Sequence, residues 1–313
     1  MATASGAAGS GWLADRFFGL DIMSVFHKES APDSIVNVMT VDVEDYFQVS
    51  AFEGVVNRGE WDRLPCRVEQ NTDRILELFD AHGVNATFFM LGWVAERYPG
   101  LVRRIVEAGH ELASHGYSHV RVTRQLPQDF SEDVIKTRKL LEDIAGCEVL
   151  GYRAASYSIV NDTLWAHDLL QEAGYRYSSS VYPIRHDLYG IPDAPRFAYR
   201  HKSGGLLEIP VTTVSLFNQN LPCGGGGYFR LLPYRVSRWA MNRVNSADRM
   251  PCVFYFHPWE IDPEQPRQAG ISTKTRFRHY LNLERMKTRV ERLLEDFNWD
   301  RMDNIFLAGG GIQ

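Results

Sequence analysis

The chain has 313 residues, of which 44% are apolar and 23% are charged, a balance typical of a globular protein. Its formal net charge is -5, which argues against binding to nucleic acids or anionic membranes, because both favour a basic surface. The four cysteines show no paired spacing, so they predict free thiols rather than disulfides or a cysteine zinc site. They are Cys66, Cys147, Cys223 and Cys252.

The first 34 residues are predicted to be a flexible appendage. Residues 2–11 contain only Ala, Thr, Ser and Gly, which favours disorder. Residues 12–26 are richer in apolar side chains, but Asp15, Arg16 and Asp21 exclude a membrane span. This stretch fits an amphipathic helix that contacts a membrane or partner, a helix packed on the domain, or a disordered leader. It lacks the basic start and cleavage site of a secretory signal, so we expect a cytoplasmic protein, with peripheral membrane association still open.

From residue 35 onward, predicted strands and helices alternate. Each strand is predicted from an apolar or β-branched run, and each helix from apolar residues at helical spacing, often followed by a glycine. Strands are predicted at 35–43, 86–91, 111–114, 149–153, 175–179, 206–211 and 252–257, and helices at 71–83, 101–108, 131–144, 163–173, 233–244 and 283–297. Repeated strand-helix units predict an α/β fold with a parallel sheet, and at this length an open or closed barrel.

Polar groups follow four of these predicted strands. The carboxylates at 42–45, together with His115, Arg153 and His257, each lie where a strand ends. Because chemistry in parallel α/β folds gathers at the carboxyl ends of the strands, we expect these side chains to share one site.

The stretch from 108 to 119 (AGHELASHGYSH) places His115 and His119 four residues apart. An isolated pair of this kind is more often an incidental surface feature, but the carboxylates at another strand end favour a metal site. Two imidazoles and one carboxylate leave coordination positions for water, as hydrolytic metals need. A remaining carboxylate of the 42–45 cluster and His257 would supply a base and an acid.

In this order, these residues resemble the motifs of the polysaccharide deacetylases, the NodB-type carbohydrate esterases, over about residues 36–260. The matching stretches are TVDVED at 40–45, SHGYSH at 114–119, GYRAASYS at 151–158 and FH at 256–257. The resemblance implies a distorted (β/α) barrel of about seven strands. It also implies three domain-level parts: the appendage at 1–34, a deacetylase barrel at 35–260 and a C-terminal helical extension at 261–313, packed on the barrel.

The resemblance also implies a role for each motif. Asp42 is expected to be the catalytic base, with Arg153 holding it in place, and His257 the catalytic acid. The pair His115 and His119 is expected to bind a divalent metal, zinc before cobalt or another ion.

One departure from the family pattern concerns the metal carboxylate. The family has two adjacent aspartates, whereas here Asp42 is followed by Val43, Glu44 and Asp45. On a continuous strand Glu44 faces the same side as Asp42, but if the strand ends at Val43 a turn could bring Asp45 to the metal. Both therefore remain candidate ligands. The fourth family motif, an aspartate followed by a tryptophan, has no match, so the group that tunes His257 is not identified.

The expected substrate is an acetylated polysaccharide or oligosaccharide. Tyr157, Trp259 and Tyr46 are candidate sugar-binding aromatics, although each could be a core or wall residue. The stretch GGGGYFR at 224–230 resembles a subgroup linked with bacterial exopolysaccharide and exosortase loci. The expected reaction is N-deacetylation of N-acetylhexosamine units, and because other members of the fold are esterases, O-deacetylation stays open. Two alternatives remain: a metal-independent amide hydrolase of the allantoinase-like type, and a non-catalytic glycan-binding module. The sequence indicates no oligomeric state.

Overall fold

The computed structural model describes residues 35–186, 189–202 and 205–308. The predicted appendage at 1–34 therefore lies outside the described residues. The strands are β1 (Val36–Val43), β2 (Thr87–Met90), β3 (Glu111–Ser114), β4 (Gly151–Tyr152), β5 (Tyr177–Ser178), β6 (Tyr199–Arg200), β7 (Leu207–Glu208), β8 (Thr213–Leu216), β9 (Gln219–Pro222), β10 (Val253–Phe256) and β11 (Asn298–Asp300).

Nine of these strands form one curled sheet, in which neighbouring strands follow the order β10-β1-β2-β3-β4-β5-β7-β6, with β11 paired to the start of β1. The seven strands from β10 to β7 are parallel, and β6 is antiparallel to β7. The path does not return on itself, so the sheet is a half-barrel. The predicted distorted (β/α) barrel of about seven strands is thereby confirmed. Strands β8 and β9 form a separate hairpin.

The described ranges contain ten α-helices, which alternate with the strands along the chain. They are α1 (Val68–His82), α2 (Gly92–Arg97), α3 (Pro99–Glu107), α4 (Pro127–Ala145), α5 (Trp165–Glu172), α6 (Gly226–Leu231), α7 (Tyr234–Arg243), α8 (Thr273–Tyr280), α9 (Leu283–Asp296) and α10 (Met302–Phe306). None of them combines the length and apolar composition that crossing a membrane requires. All four cysteines are free, as the sequence predicts.

The alternation of side chains along β1 separates the core from the site. Met39, Val41 and Val43 belong to the large apolar cluster that includes helical residues, whereas Val38 packs with Phe89 in a second cluster. Because successive side chains on a strand point to opposite faces, Asp42 lies on the same face as Val38, inside the half-barrel. The sheet therefore places a carboxylate in the interior at the carboxyl end of β1.

The segment after residue 261 contributes to the sheet as well as packing on it. Strand β11 pairs in parallel with the first residues of β1. Met302 and Phe306 of α10 join the interior cluster at the amino ends of the strands, where the Met302 N–H donates to Thr87 Oγ1 over 2.8 Å. The domain boundary predicted at 260 stays a prediction.

Gly151 gives a test of the packing inside the half-barrel. A Cβ at this position would lie 2.1 Å from Cζ of Tyr177 on the neighbouring strand. We expect Gly151→Ala to lower the free energy of unfolding by about 1–3 kcal/mol, as overpacking does. The matched control is Gly227→Ala in α6, where no atom lies within 4 Å of the added carbon. Thermal or urea unfolding measures both, and equal stability of the two variants would contradict the packing described here.

Candidate active site

The predicted site residues meet at the carboxyl-terminal rim of the half-barrel. The register pairs Val43 with Met90, Met90 with Ser114, and Ser114 with Tyr152, so the ends of β1 to β4 lie side by side. Asp42, His115 and Arg153 lie at or just beyond these ends. His257 directly follows β10, the neighbour of β1 on its other side. The sheet thus brings together residues that lie up to 215 positions apart in sequence.

Glu44, His115 and His119 form a group that could hold a metal ion. All three are buried, and each offers one ligand atom within 4.8 Å of the others. His115 Nδ1–H donates to the carbonyl of Arg153 over 2.8 Å, which leaves Nε2 for the metal. Trp259 Nε1–H donates to Oε1 of Glu44 over 3.3 Å, so the other carboxylate oxygen, Oε2, faces the histidines.

The polar atoms of this group fit a cation. Glu44 Oε2 lies 2.9 Å from His119 Nε2 without forming a hydrogen bond, and His119 Nδ1 is buried without a partner. Burial lowers the pKa of His115 to about 4, so the imidazole is neutral, as a metal ligand must be. Burial opposes the ionisation of Glu44, but the charges of His119 and His257 outweigh it and hold the pKa of Glu44 well below its usual range. One ionised carboxylate oxygen and two imidazole nitrogens are a donor set that suits Zn²⁺.

Asp45 has a different environment from Glu44. Its Oδ2 accepts the backbone N–H groups of Arg67 and Val68, at 2.6 and 2.9 Å, where α1 begins. Helix starts carry N–H groups without intrahelical partners, and a carboxylate there satisfies them. The structure therefore places Asp45 at the start of α1 and Glu44 beside the histidines. The assignment of Asp45 as a metal ligand is wrong for this geometry, because the backbone turns after Val43 and directs the Asp45 carboxylate away.

Arg153 fixes Asp42 by a buried ion pair. Its side chain is 0% exposed, and Nη1 donates to Asp42 Oδ1 over 2.5 Å and to Thr40 Oγ1 over 2.8 Å. The remaining donors bind the carbonyl and hydroxyl of Ser179. Although burial alone would lower the pKa of Arg153, the negative charge of Asp42 raises it, so the guanidinium stays charged. A carboxylate held in this way keeps a fixed orientation, with Oδ2 turned toward His257.

His257 lies opposite Asp42 and is held by a carboxylate of its own. Its Nε2 is 3.9 Å from Asp42 Oδ2 and 3.4 Å from Glu44 Oε1, and its Nδ1–H donates to Glu260 Oε2 over 2.9 Å. Burial lowers the pKa of His257, but Glu44, Glu260 and Asp42 outweigh burial and raise it to about 9. His257 is therefore protonated at neutral pH, as an acid must be before it donates a proton.

Glu260 in turn is paired with Arg230, whose Nε donates to Glu260 Oε1 over 2.7 Å. Burial raises the pKa of Glu260, but Arg230 and His257 reverse this and lower it to about 2. Neither residue was predicted from the sequence as part of the site. Glu260 could have been predicted as a partner of His257, because it follows that residue by three positions. The sequence gives no comparable indication for Arg230, because it reaches the site from α6.

The aromatic predictions need correction. Trp259 is 6% exposed, and both of its faces are covered: His257 stacks at 5.1 Å and His279 at 4.2 Å. It has no free face for a sugar and instead orients Glu44. Tyr46 is 2% exposed in an apolar cluster with Phe47, so its ring is a core side chain rather than an open surface for a sugar.

Tyr157 is the remaining predicted sugar-binding aromatic. It is 4% exposed, its ring centroid lies 5.6 Å from Cζ of Arg153, and its hydroxyl is buried without a partner. Its substrate-binding role stays a prediction.

These features define the class of protein as a curled α/β half-barrel in which three histidines and several carboxylates meet at the carboxyl ends of the strands. The comparison with known families is more specific. Residues 60–178 match the family model for polysaccharide deacetylase, so the chain carries a polysaccharide deacetylase domain. A second family model, described as a domain of unknown function (DUF3473), matches residues 179–307.

Curated relatives agree over the deacetylase domain. A peptidoglycan-N-acetylglucosamine deacetylase of Bacillus cereus is 39% identical over 100 residues, which are 31% of this chain and 36% of that protein. A peptidoglycan deacetylase of Helicobacter pylori is 31% identical over 113 residues, which are 36% of this chain and 38% of that protein. The chain therefore matches little more than a third of the length of these relatives.

Solved structures resemble the whole fold. A Mycobacterium smegmatis protein described as a polysaccharide deacetylase superposes with a TM-score of 0.57 at 20% identity, covering 89% of this chain and 93% of that one. The PuuE allantoinase superposes with a TM-score of 0.56 at 17% identity, covering 95% of this chain and 99% of that one. At these identities the likeness shows the fold alone.

The two adjacent carboxylates give a test of the site. We expect Glu44→Gln to weaken zinc binding by more than the ~10–100-fold that outer partners of a metal site typically cost. We expect Asp45→Ala to keep zinc binding and to lower the free energy of unfolding by about 0.5–2 kcal/mol, because α1 loses its cap. Competition with a chromophoric chelator and thermal unfolding measure the two effects. The reverse result, with zinc binding lost only in Asp45→Ala, would overturn the assignment.

Proposed function

We propose that the protein is a metal-dependent N-deacetylase that hydrolyses the acetamido groups of N-acetylhexosamine units in a polysaccharide. The observation that carries the proposal is the arrangement of three functional groups at one rim: the metal-binding group, Asp42 and His257. A binding module has no need of an oriented base and a protonated imidazole facing each other across about 4 Å. The curated relatives named for acting on peptidoglycan N-acetylglucosamine support an amide substrate.

The residues divide the reaction between them. A divalent ion bound by Glu44, His115 and His119 would polarise the acetyl carbonyl and lower the pKa of a water molecule. Asp42 Oδ2 accepts a proton from the water molecule while the water oxygen forms a bond to the acetyl carbon. Arg153 holds Asp42 in a fixed orientation for this step through the hydrogen bond from Nη1 to Oδ1.

His257 completes the reaction at the leaving group. An amine leaves poorly unless it is protonated, so Nε2 of the His257 imidazolium donates its proton to the sugar nitrogen as the C–N bond breaks. Acetate and the free amine are the products. Transfer of the proton from Asp42 to His257 then restores the starting charge of both side chains. Glu260 keeps the proton on Nδ1 throughout, which leaves Nε2 as the nitrogen that transfers.

Among polysaccharides, the proposed substrate is a bacterial exopolysaccharide. This proposal rests on the resemblance of the glycine-rich stretch at 224–230, which in the structure supplies Arg230, the partner of Glu260. Gly226 is part of the same arrangement: a Cβ there would lie 2.2 Å from Glu260 Oε2, so a residue without a side chain lets the carboxylate approach α6. The stretch that resembles the exopolysaccharide-linked subgroup thus belongs to the structure around the acid.

Acetate release from a panel of N-acetylated and O-acetylated glycans, with and without zinc or cobalt, tests the proposed activity. We expect metal-dependent release from N-acetylhexosamine oligomers. We also expect Asp42→Asn to lower turnover by about 10²–10⁴-fold while zinc still binds, because only the base is lost. His115→Ala should lose both zinc binding and turnover.

Three results would contradict the proposal. Release from O-acetylated glycans alone would make the protein an esterase. Amide hydrolysis that a chelator does not affect would favour the metal-independent, allantoinase-like alternative. Turnover that survives in the Asp42→Asn protein would show that another group is the base.

The pH profile tests the role of Glu260. Activity that needs protonated His257 is lost as the pH rises through its pKa, which the carboxylates raise to about 9. Glu260→Gln removes one of these charges, so we expect the alkaline limb of kcat/KM to move to lower pH by on the order of 1 pH unit. The control is Glu264→Gln, an exposed carboxylate nearby. An alkaline limb that does not move in Glu260→Gln would exclude His257 as the acid seen in the profile.

A further inference from the structure

The backbone of His119 adopts an unfavourable conformation that needs an explanation. Its φ is 52°, in the left-handed region that a Cβ disfavours. Conformations of this kind persist where the surrounding structure imposes them. His119 is buried and presents Nε2 to Glu44, so the left-handed turn is what directs this imidazole to the metal-binding group.

Arg58 contacts the backbone at this turn. Its Nε donates to the carbonyl of Ser118 and its Nη2 to the carbonyl of His119, both over 2.9 Å. Two consecutive carbonyls are thereby held by one planar guanidinium, and lysine cannot reproduce this geometry because its ammonium is a single point of charge. Arg58 begins a short 3₁₀ helix, Arg58–Arg63, and lies outside the ranges of both matching families.

Glu53 fixes the guanidinium in turn. Its Oε1 lies 2.9 Å from Arg58 Nη2, and its Oε2 lies 3.0 Å from Nη2 of Arg121. Arg121 follows His119 by two residues, so the carboxylate joins the two sides of the turn. Ion pairs thus join Glu53 to Arg58 and Arg121, and hydrogen bonds join Arg58 to the two carbonyls at the His119 turn.

We propose that Arg58 is a positioning residue for the metal site, which sets the affinity for zinc by holding His119 opposite Glu44. The inference rests on the proposed metal-dependent function. Arg58 does not touch the metal-binding atoms, and it acts through the backbone of the ligand. Partners of this kind orient ligands before the metal arrives, so that less of the binding free energy is lost in ordering them.

Zinc affinity of the full chain, measured by competition with a chromophoric chelator, tests the proposal without relying on turnover. We expect Arg58→Ala to weaken zinc binding by about 10–100-fold, the range found for outer partners of metal ligands. Arg58→Lys should also weaken binding, because its ammonium keeps the charge beside Glu53 but cannot bind both carbonyls.

The matched control is Arg97→Ala. Arg97 pairs with Asp62 over 2.6 Å, and its side chain is 38% exposed, compared with 37% for Arg58. We expect this variant to bind zinc within about twofold of the wild type, since surface pairs of this kind contribute little.

The outcomes separate this proposal from the function on which it rests. Wild-type protein that binds no zinc would overturn the metal site and the role of Arg58 together. Wild-type binding with equal affinity in Arg58→Ala would overturn the positioning role alone. If Arg58→Ala does not fold, Arg58→Lys decides by the same comparison: weaker binding supports the proposal, and unchanged binding overturns it.

Discussion

The buried ion pair between Arg153 and Asp42 is the interaction on which the rest of the site depends. The guanidinium lies inside the half-barrel over the ring of Phe89, with Cζ 3.9 Å from the ring centroid. Removing a charge from water into such a place is costly, and only a fully hydrogen-bonded arrangement offsets that cost. Here β1 and the residue after β5 supply the hydrogen-bond partners of this one side chain, and Phe89 of β2 supplies the aromatic ring beneath it. The same residue presents its carbonyl to His115, so the orientations of Asp42 and His115 are coupled through Arg153.

The carboxylates at this rim show how environment separates residues of the same type. Asp42 faces a guanidinium, Glu44 faces imidazoles, Asp45 faces backbone N–H groups, and Glu260 lies between Arg230 and His257. Burial would favour the neutral form of each one. For Glu44 and Glu260 the adjacent cations reverse this effect, whereas Asp45 has mainly N–H partners and burial raises its pKa to about 6. The four carboxylates therefore differ in ionisation and orientation because each one faces a different set of partners.

The sequence predicted the parts of this structure that depend on local pattern. The β-branched run of β1 and the apolar run of β10 were found with ends within one or two residues, and their polar neighbours gave Asp42 and His257. Helix α1 was predicted to begin at Asn71, but it begins at Val68 because the cap comes from Asp45, more than twenty residues earlier. No local pattern contains that information. The hairpin of β8 and β9 and the short β11 were missed, and Trp259 was misread because the imidazoles that cover its faces come from different segments.

The residue ranges that match the two family models both contribute side chains to the same site. The metal-binding group and Arg153 precede residue 178, whereas His257, Glu260 and Arg230 all lie within 179–307, the range of the domain of unknown function. This range also supplies β10, which is the hydrogen-bonded neighbour of β1 in the sheet. His279 of α8 covers the outer face of Trp259, whose indole N–H holds Glu44. Contacts from this range thus reach Glu44 as well as His257. A fragment that ended at residue 178 would leave β1 without that neighbour and Asp42 without the imidazole that faces it, so the second range is part of the same half-barrel and of the same site.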